Sequence, residues 1–201
     1  MKINGIRIAE PIPSCVGSFG GKLLILGGAK CIWDDYSKAK ELLSKDYEIM
    51  CVNDIGGQFK AERIEHAVSL HKGNLPAVRL MRKEKSLLGH VHTHGYVAGD
   101  EVDVIWPIEE RSGTSGLFAV KIAILLGYRK IILCGLPIDD SGHYFDPPDA
   151  SLNKTAKFSG SSYIRTWTSF RDESKEAKER VRSMSGKSKS VFGEPTIEWL
   201  G

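Results

Sequence analysis

The 201-residue sequence contains no CxxC pair: its four cysteines, Cys15, Cys31, Cys51 and Cys134, stand apart from one another. That excludes a zinc ribbon or disulfide framework read from spacing. Cys51 and Cys134 fall in apolar strand patterns, where a buried thiol is the ordinary state, and this suits a reducing cytoplasm. Long apolar runs are missing too, as is a charged-then-apolar leader, so no membrane partner is expected and the expected location is cytoplasmic. Charge of one sign is scarce: 28 basic against 25 acidic side chains leave only +3, too little to argue for nucleic acid. There is no Walker motif and no GxGxxG, which removes the ordinary P-loop and the dinucleotide fingerprint. Neither a repeat nor a long low-complexity segment is visible.

What remains is a chain long enough to bury a real core, with roughly 70% of its unfolded surface hidden on folding. Lys22 to Gly28, "KLLILGG", reads as a short buried strand closed by glycines, and Asp34 to Ser44 as an amphipathic helix capped by Asp34-Asp35. "YEIMCVND" and "IEHAVSLH" read as strands, "LPAVRLMRK" as a helix and "GHVHTHG", Gly89 to Gly95, as a fourth strand. A helix is predicted from Thr114 to Gly127, ending on its C-terminal glycine, and "KIILCG" is the strand after it. The first twenty residues read as an irregular arm. Residues 149–180 are polar and end in a charged run, "FRDESKEAKERV", suited to a solvated helix; they read as a polar lid or helical appendage on a single domain spanning 1–201. "RVRSMSG" is a candidate last strand, followed by a tail. Alternating strands and helices with continuous apolar strands predict an α/β fold: a Rossmann-like three-layer sandwich around a mostly parallel sheet.

In such sheets ligands bind beyond the carboxyl ends of the strands. The predicted strand ends carry Gly27-Gly28, Asn53-Asp54, His71, His92-Thr93-His94 and then Pro137, Asp139, Asp140, His143 and Tyr144. Small, amide, imidazole and carboxylate groups thus collect on one rim, and nothing comparable marks the other strand ends. Ser112-Gly113-Thr114-Ser115-Gly116 lies at the mouth of the Thr114 helix. Its amides and the positive dipole end suit a phosphate, and simple capping by Ser112 or Thr114 accounts for the same residues. Asn53-Asp54 fits base or ribose recognition and equally an Asx turn. His92 and His94 alternate on one strand face, which fits either a divalent-metal clamp lacking a clear third ligand or two ordinary imidazoles. Arg111 is a candidate phosphate partner or a surface residue, and Lys187 and Lys189 read as a solvated face.

The block "SGLFAVKIAILLGYRKIILCGLPID…YFD" resembles the core of the bacterial sialyltransferases that use CMP-sialic acid, and "LLILGGAKCIWDDYS…YEIMCVND" resembles their opening strand, helix and Asn-ending second strand. Similar blocks occur in the motility-accessory-factor and 6-hydroxymethylpterin diphosphokinase-like families. From about Leu23 to the C-terminus the chain also resembles a group of small phage-encoded proteins, often labelled norphogenetic protein, through "VND", "SLH", "SGLFAVK", "LCGLP", "VRSMSG" and "EWL". The sialyltransferase resemblance implies nucleotide contacts at Gly28, Asn53, Ser115-Gly116 and Asp139, with Tyr144 near the phosphate. It departs at Gly28-Ala29, where that family has an Asn, and in 149–180, which holds no histidine where the family places its catalytic one.

Together these readings lead to a nucleotide-binding protein of glycosyltransferase-like type. Its expected ligands are a nucleotide or nucleotide sugar, and its nucleotide-binding candidates are Gly27, Gly28, Asn53, Asp54, Ser112, Thr114, Ser115, Gly116, Pro137, Asp139 and Tyr144. The base would be His143, His71 or His92. Two alternatives stay open: an ATP-dependent diphosphotransferase using a divalent metal on Asp54, Asp139 and Asp140, and a non-catalytic phage accessory protein acting in the host cytoplasm. Homo-oligomerisation stays open as well.

Overall fold

A computed structural model describes residues 1–43, 46–60, 63–87, 91–109, 113–146 and 160–201. The sheet is the α/β one expected. Its seven strands are β3 (Lys22–Leu26), β4 (Glu48–Val52), β5 (His66–Ser69), β6 (His92–Gly95), β7 (Val104–Ile105), β8 (Lys130–Cys134) and β9 (Val181–Ser183), in the order β7-β6-β5-β4-β3-β8-β9. Every pairing within it is parallel. The chain steps outward from β3 to β7, then crosses back to lay β8 on the other side of β3. The chain ends of β3 and β8 therefore part company, and that divergence is the topological switch point at which open sheets bind ligands.

Both faces of the sheet are covered. Leu24, Leu26, Cys51 and Ala67 pack on one face with Ile32 and Ala39 of α1 (Ile32–Leu42), Ile55 of α2 (Ile55–Gln58) and Val78 of α3 (Asn74–Glu84). Leu23, Ile25, Met50 and Val68 face α4 (Ser115–Leu126), every residue of which is buried. A helix apolar all round belongs inside a protein. Its C-terminus stops at Gly127, which is left-handed at φ 106°, and its last carbonyls are taken by the N-terminal arm: the amides of Gly17 and Phe19 donate to Leu125 and Leu126.

The arm is therefore not irregular throughout. It opens with a small antiparallel pair, β1 (Lys2–Ile3) and β2 (Ile6–Arg7), and buries Ile6 and Ile8. Nor is the charged run one solvated helix. α5 (Ile164–Glu173) ends at Ser174, whose side chain caps α6 (Lys175–Arg180), and Phe170, Ser174 and Ala177 are buried. The expected lid or appendage falls partly on 149–159, outside the described residues, but its 160–180 portion is built into the core through Trp167 and Phe170. The tail forms two further short helices, α7 (Gly186–Phe192) and α8 (Ile197–Leu200).

A buried polar cluster that the sequence pattern hides runs from the amino ends of β4 and β5 through β6 to the residue after β7. Trp106 Nε1 donates to His94 Nδ1 at 2.9 Å, His94 Nε2 lies 2.9 Å from His66 Nδ1, and His66 Nε2 lies 2.8 Å from the Tyr128 hydroxyl, which donates to Glu48. An indole N–H can only donate, so His94 Nδ1 accepts and its proton sits on Nε2. That proton goes to His66 Nδ1, which places the His66 proton on Nε2, facing Tyr128. All the bonds run one way and every group is satisfied. Burial lowers both imidazoles, His66 to about 3, with the neighbouring His92 adding to the effect.

Candidate active site

At the carboxyl ends of the strands lies a cavity of about 1030 Å³, ample for a nucleotide. Its walls come from the segments after β3, β4, β5 and β8 and from the N-terminus of α4. Gly27, Gly28, Asn53, Asp54, His71, Thr114, Ser115, Gly116, Pro137, Asp139 and His143 all line it. Ser112 and Arg111 lie outside the described residues.

The switch point is built by glycines that nothing else could replace. A Cβ on Gly27 would lie 2.3 Å from Leu136 Cδ2 and 2.5 Å from the Gly135 carbonyl. Gly135 is left-handed at φ 64°, and its Cβ would meet the Gly27 carbonyl at 2.5 Å. Two chains leaving adjacent strands thus cross at backbone distance. Beneath this crossing Asp35 is buried rather than exposed on the first turn of its helix. Its carboxylate accepts from the Gly135 amide at 2.9 Å and from the Ser185 hydroxyl at 2.6 Å. The expected cap by Asp34-Asp35 is thereby corrected: α1 has no side-chain cap, because Asp35 ties α1 to the loops after β8 and β9. Ser185 has spent its hydrogen on Asp35, so the Cys31 thiol, 3.2 Å away, donates to it; burial pushes that thiol up to about 11, which leaves it a poor nucleophile.

On the opposite wall Thr114 caps α4, its hydroxyl accepting from Leu117 N at 3.1 Å. The Ser115 and Gly116 amides are the first two of the helix and have no intrahelical acceptor. The Thr114 cap read as one alternative from the sequence is therefore present, and it leaves the Ser115 and Gly116 amides open. Ser115 Oγ accepts from Leu70 N at 3.3 Å, which binds this turn to the end of β5. Asn53 is left-handed at φ 55°, and its amide oxygen accepts from Ser69 Oγ at 2.8 Å, leaving the NH₂ as its donor side. Ile138, which also lines the cavity, is left-handed at φ 54°, a costly conformation for a β-branched residue.

His143 and Phe145 stack at 5.0 Å with their planes 18° apart, and both line the cavity; Phe145 is 52% exposed. Asp146 Oδ2 stands 3.7 Å from His143 Nδ1 and accepts from the His143 amide at 2.6 Å. The loop is pinned to the first glycine turn by Tyr144 N donating to the Gly28 carbonyl at 3.0 Å.

Two expected residues are elsewhere. His92 is the first residue of β6, at the amino end of that strand and paired in register with His66. Tyr144 is not one of the residues lining the cavity: its ring meets Trp33 edge-on at 5.4 Å and packs against the α1-side core, where burial raises its hydroxyl and the charge of Asp54 adds to the effect. The His92–His94 metal clamp also fails, since both nitrogens of His94 are engaged by Trp106 and His66. Among the described residues no group of three His, Cys, Asp or Glu side chains is placed to hold a metal ion. No helix among the described residues is long and apolar enough to cross a membrane.

Phe145, Lys30 and Trp167 line the cavity without having been singled out. Phe145 lay within a quoted motif, and Lys30 follows the glycine turn. Trp167 sits in a stretch that reads as polar, and only tertiary packing brings it in.

No family model and no curated protein sequence matches the chain. Among solved structures it is similar to the sialyltransferase CstII from Campylobacter jejuni, in complex with a substrate analogue, cytidine-5'-monophosphate. The TM-score is 0.56 at 15% identity, over 88% of this chain and 85% of that one. At that identity the likeness shows a shared Rossmann-like fold.

Proposed function

We propose that the cavity binds a nucleotide and that the protein is a glycosyltransferase-like enzyme using a nucleotide-activated donor. The observation that carries this reading is convergence. The open amides at the α4 N-terminus, the donor side of Asn53 and the glycine crossing of β3 and β8 face one cavity at the switch point of a parallel sheet. A phosphoryl group is placed at Ser115-Gly116, where amides and helix dipole favour negative charge. Lys30 supplies the one Lys or Arg side chain among the described lining residues. Asn53 and Asp54 offer donor and acceptor to the ribose or base, and exposed Phe145 offers a flat face. The cytidine nucleotide in CstII, a protein of the same fold, supports the choice of ligand class.

His143 is the base favoured by geometry. It lines the cavity, and Asp146 stands beside its Nδ1, so the other ring nitrogen is available to take a proton from an acceptor hydroxyl while Asp146 stabilises the charged ring. His71, on the wall after β5, is the second candidate. Calorimetric titration with nucleoside mono- and diphosphates and nucleotide sugars tests the reading. Saturable binding, with donor-sugar release that His143→Ala abolishes while binding survives, is expected. Binding without release of any donor's sugar would reduce the protein to the non-catalytic accessory role. No binding to any of them at millimolar concentration would end the proposal.

A further inference from the structure

We infer that the Trp167 indole N–H is a ligand-binding donor that reaches a phosphoryl oxygen at the mouth of α4; the inference rests on the nucleotide reading of the cavity. Trp167 lines the cavity yet is only 1% exposed, and its Nε1 is buried with no hydrogen-bond partner among the described residues. Native proteins rarely leave such a donor unmatched, because burial forfeits its bond to water with nothing in exchange. The position of the ring says which partner is missing. Its Cζ2 and Cη2 atoms lie 3.3 and 3.4 Å from where a Cβ on Gly116 would stand. In indole the N–H and Cζ2–H bonds leave along the same edge, so the donor stands beside the first turn of α4.

Gly116 contributes one of the two open amides of that turn, and the absence of a side chain there is what lets the indole lie against it. Three donors, Ser115 N, Gly116 N and Trp167 Nε1, thereby border one site, and none of them can accept. That selects an oxygen-rich anionic group over a hydroxyl or amide, which would bring donors of its own. The indole is neutral at every working pH, so it adds direction without net charge. Leu136 Cδ2, 3.0 Å from the Gly116 Cβ position, borders the same contact.

The test compares wild type with Trp167→Phe, using CMP, UMP, AMP and GMP, their parent nucleosides and inorganic phosphate as separate probes. For the tightest nucleotide, loss of the N–H should weaken binding by about tenfold or more, the worth of a bond to a charged acceptor. The parent nucleoside, lacking the phosphoryl group, should bind the two proteins within about twofold. The unliganded variant should be no less stable to urea than loss of ring size alone demands, since it also loses an unpaired donor. Independently of the variant's folding, ¹⁵N spectra of the wild type should show one of its four indole N–H signals moving downfield and exchanging more slowly on saturation with the nucleotide. Inorganic phosphate should produce the same shift if the phosphoryl group alone suffices, and only the nucleotide should if the base and ribose are needed to place it. Wild type that binds a nucleotide with all four signals unmoved, or a variant that loses nucleoside and nucleotide equally, overturns the inference and spares the nucleotide reading. Failure of wild type to bind any probe overturns both.

Discussion

Mild acid should unfold this protein through two histidines remote from the cavity. His66 is fully buried and held neutral, its value lowered to about 3 by burial, and His94 is lowered in the same direction for the same reason. In the unfolded chain each imidazole titrates near 6.5. The folded value lies below the unfolded one, so below about pH 6.5 the unfolded state takes up the proton first and stability falls as pH falls. The contribution is intact above that pH and is lost progressively down to about pH 3. One such group costs about 1.4 kcal/mol per pH unit, and the pair about 2.7. Between about pH 7 and 5 the integrated loss is therefore about 4 kcal/mol, a large share of a net stability of roughly 5–15 kcal/mol. Protonation also breaks the chain of bonds: a proton on His94 Nδ1 would point at the Trp106 N–H, and one on His66 Nδ1 at the His94 N–H.

Urea unfolding from about pH 7 to pH 5 measures the loss directly, above the range in which most carboxylates titrate. His66→Gln and His94→Gln should each be less stable near neutrality and each flatten the pH dependence by about 1.4 kcal/mol per unit. Imidazole ¹³C shifts should keep the neutral position for both residues for as long as the fold persists. A wild type losing less than about 1 kcal/mol over that window, or a folded His66 that protonates near the unstrained value of about 6.5, would refute the reasoning.

Two further outcomes follow from the crossing of β3 and β8. Asp35→Ala strips the Gly135 amide and the Ser185 hydroxyl of their acceptor inside the protein, which should cost about 2–3 kcal/mol in urea unfolding; Asp35→Asn, which keeps an acceptor oxygen, should recover part of it. Gly135→Ala combines a left-handed backbone with a Cβ 2.5 Å from the Gly27 carbonyl and 2.7 Å from Ile32 Cβ, so a loss of about 3 kcal/mol or more is expected, whereas Gly17→Ala, left-handed with nothing within 4 Å, should cost only about 1 kcal/mol; equal losses at both would show that backbone strain alone, and not the close approach, governs the crossing.

The fold was largely legible in the sequence because its central strands are continuous apolar runs between glycine turns. Lys22 to Leu26 and Lys130 to Cys134 admit little but a strand covered on both faces, and Thr114 to Gly127 carries its own start and stop. The short edge elements were not legible: Val104–Ile105 has no period to read, and the helix at Gly186 begins on "GKSKS", whose polarity resembles a tail. In the site, glycines and small polar residues at strand ends could be named because their place follows from topology alone. Tyr144 could not be placed, since neighbours on a tight loop face opposite ways and sequence does not say which. Trp167 and the His66–Tyr128–Glu48 cluster depend on residues from different strands and helices meeting, which no local pattern encodes.

The histidine cluster and the cavity handle polar groups in opposite ways. Across β4 to β7, away from the cavity lining, donors and acceptors alternate from Trp106 to Glu48 without a gap, with the arm residue Phe19 packing its ring edge-on against His66 at 5.0 Å. Such a closed chain gains rigidity and has nothing left with which to bind a ligand. Around the cavity at the carboxyl end, donors stand open beside the lining carboxylates: two helix-terminal amides, the Asn53 NH₂ and an unmatched indole N–H, with Asn53 and Ile138 left-handed. The buried indole N–H and the two left-handed residues cost stability in the empty protein, and the indole's cost falls when an acceptor-rich ligand arrives. A chain that needed only to fold would have spread its unsatisfied donors along the surface, where water meets them. Their concentration around one cavity, opposite a fully satisfied cluster, is the physical reason to look for the ligand there.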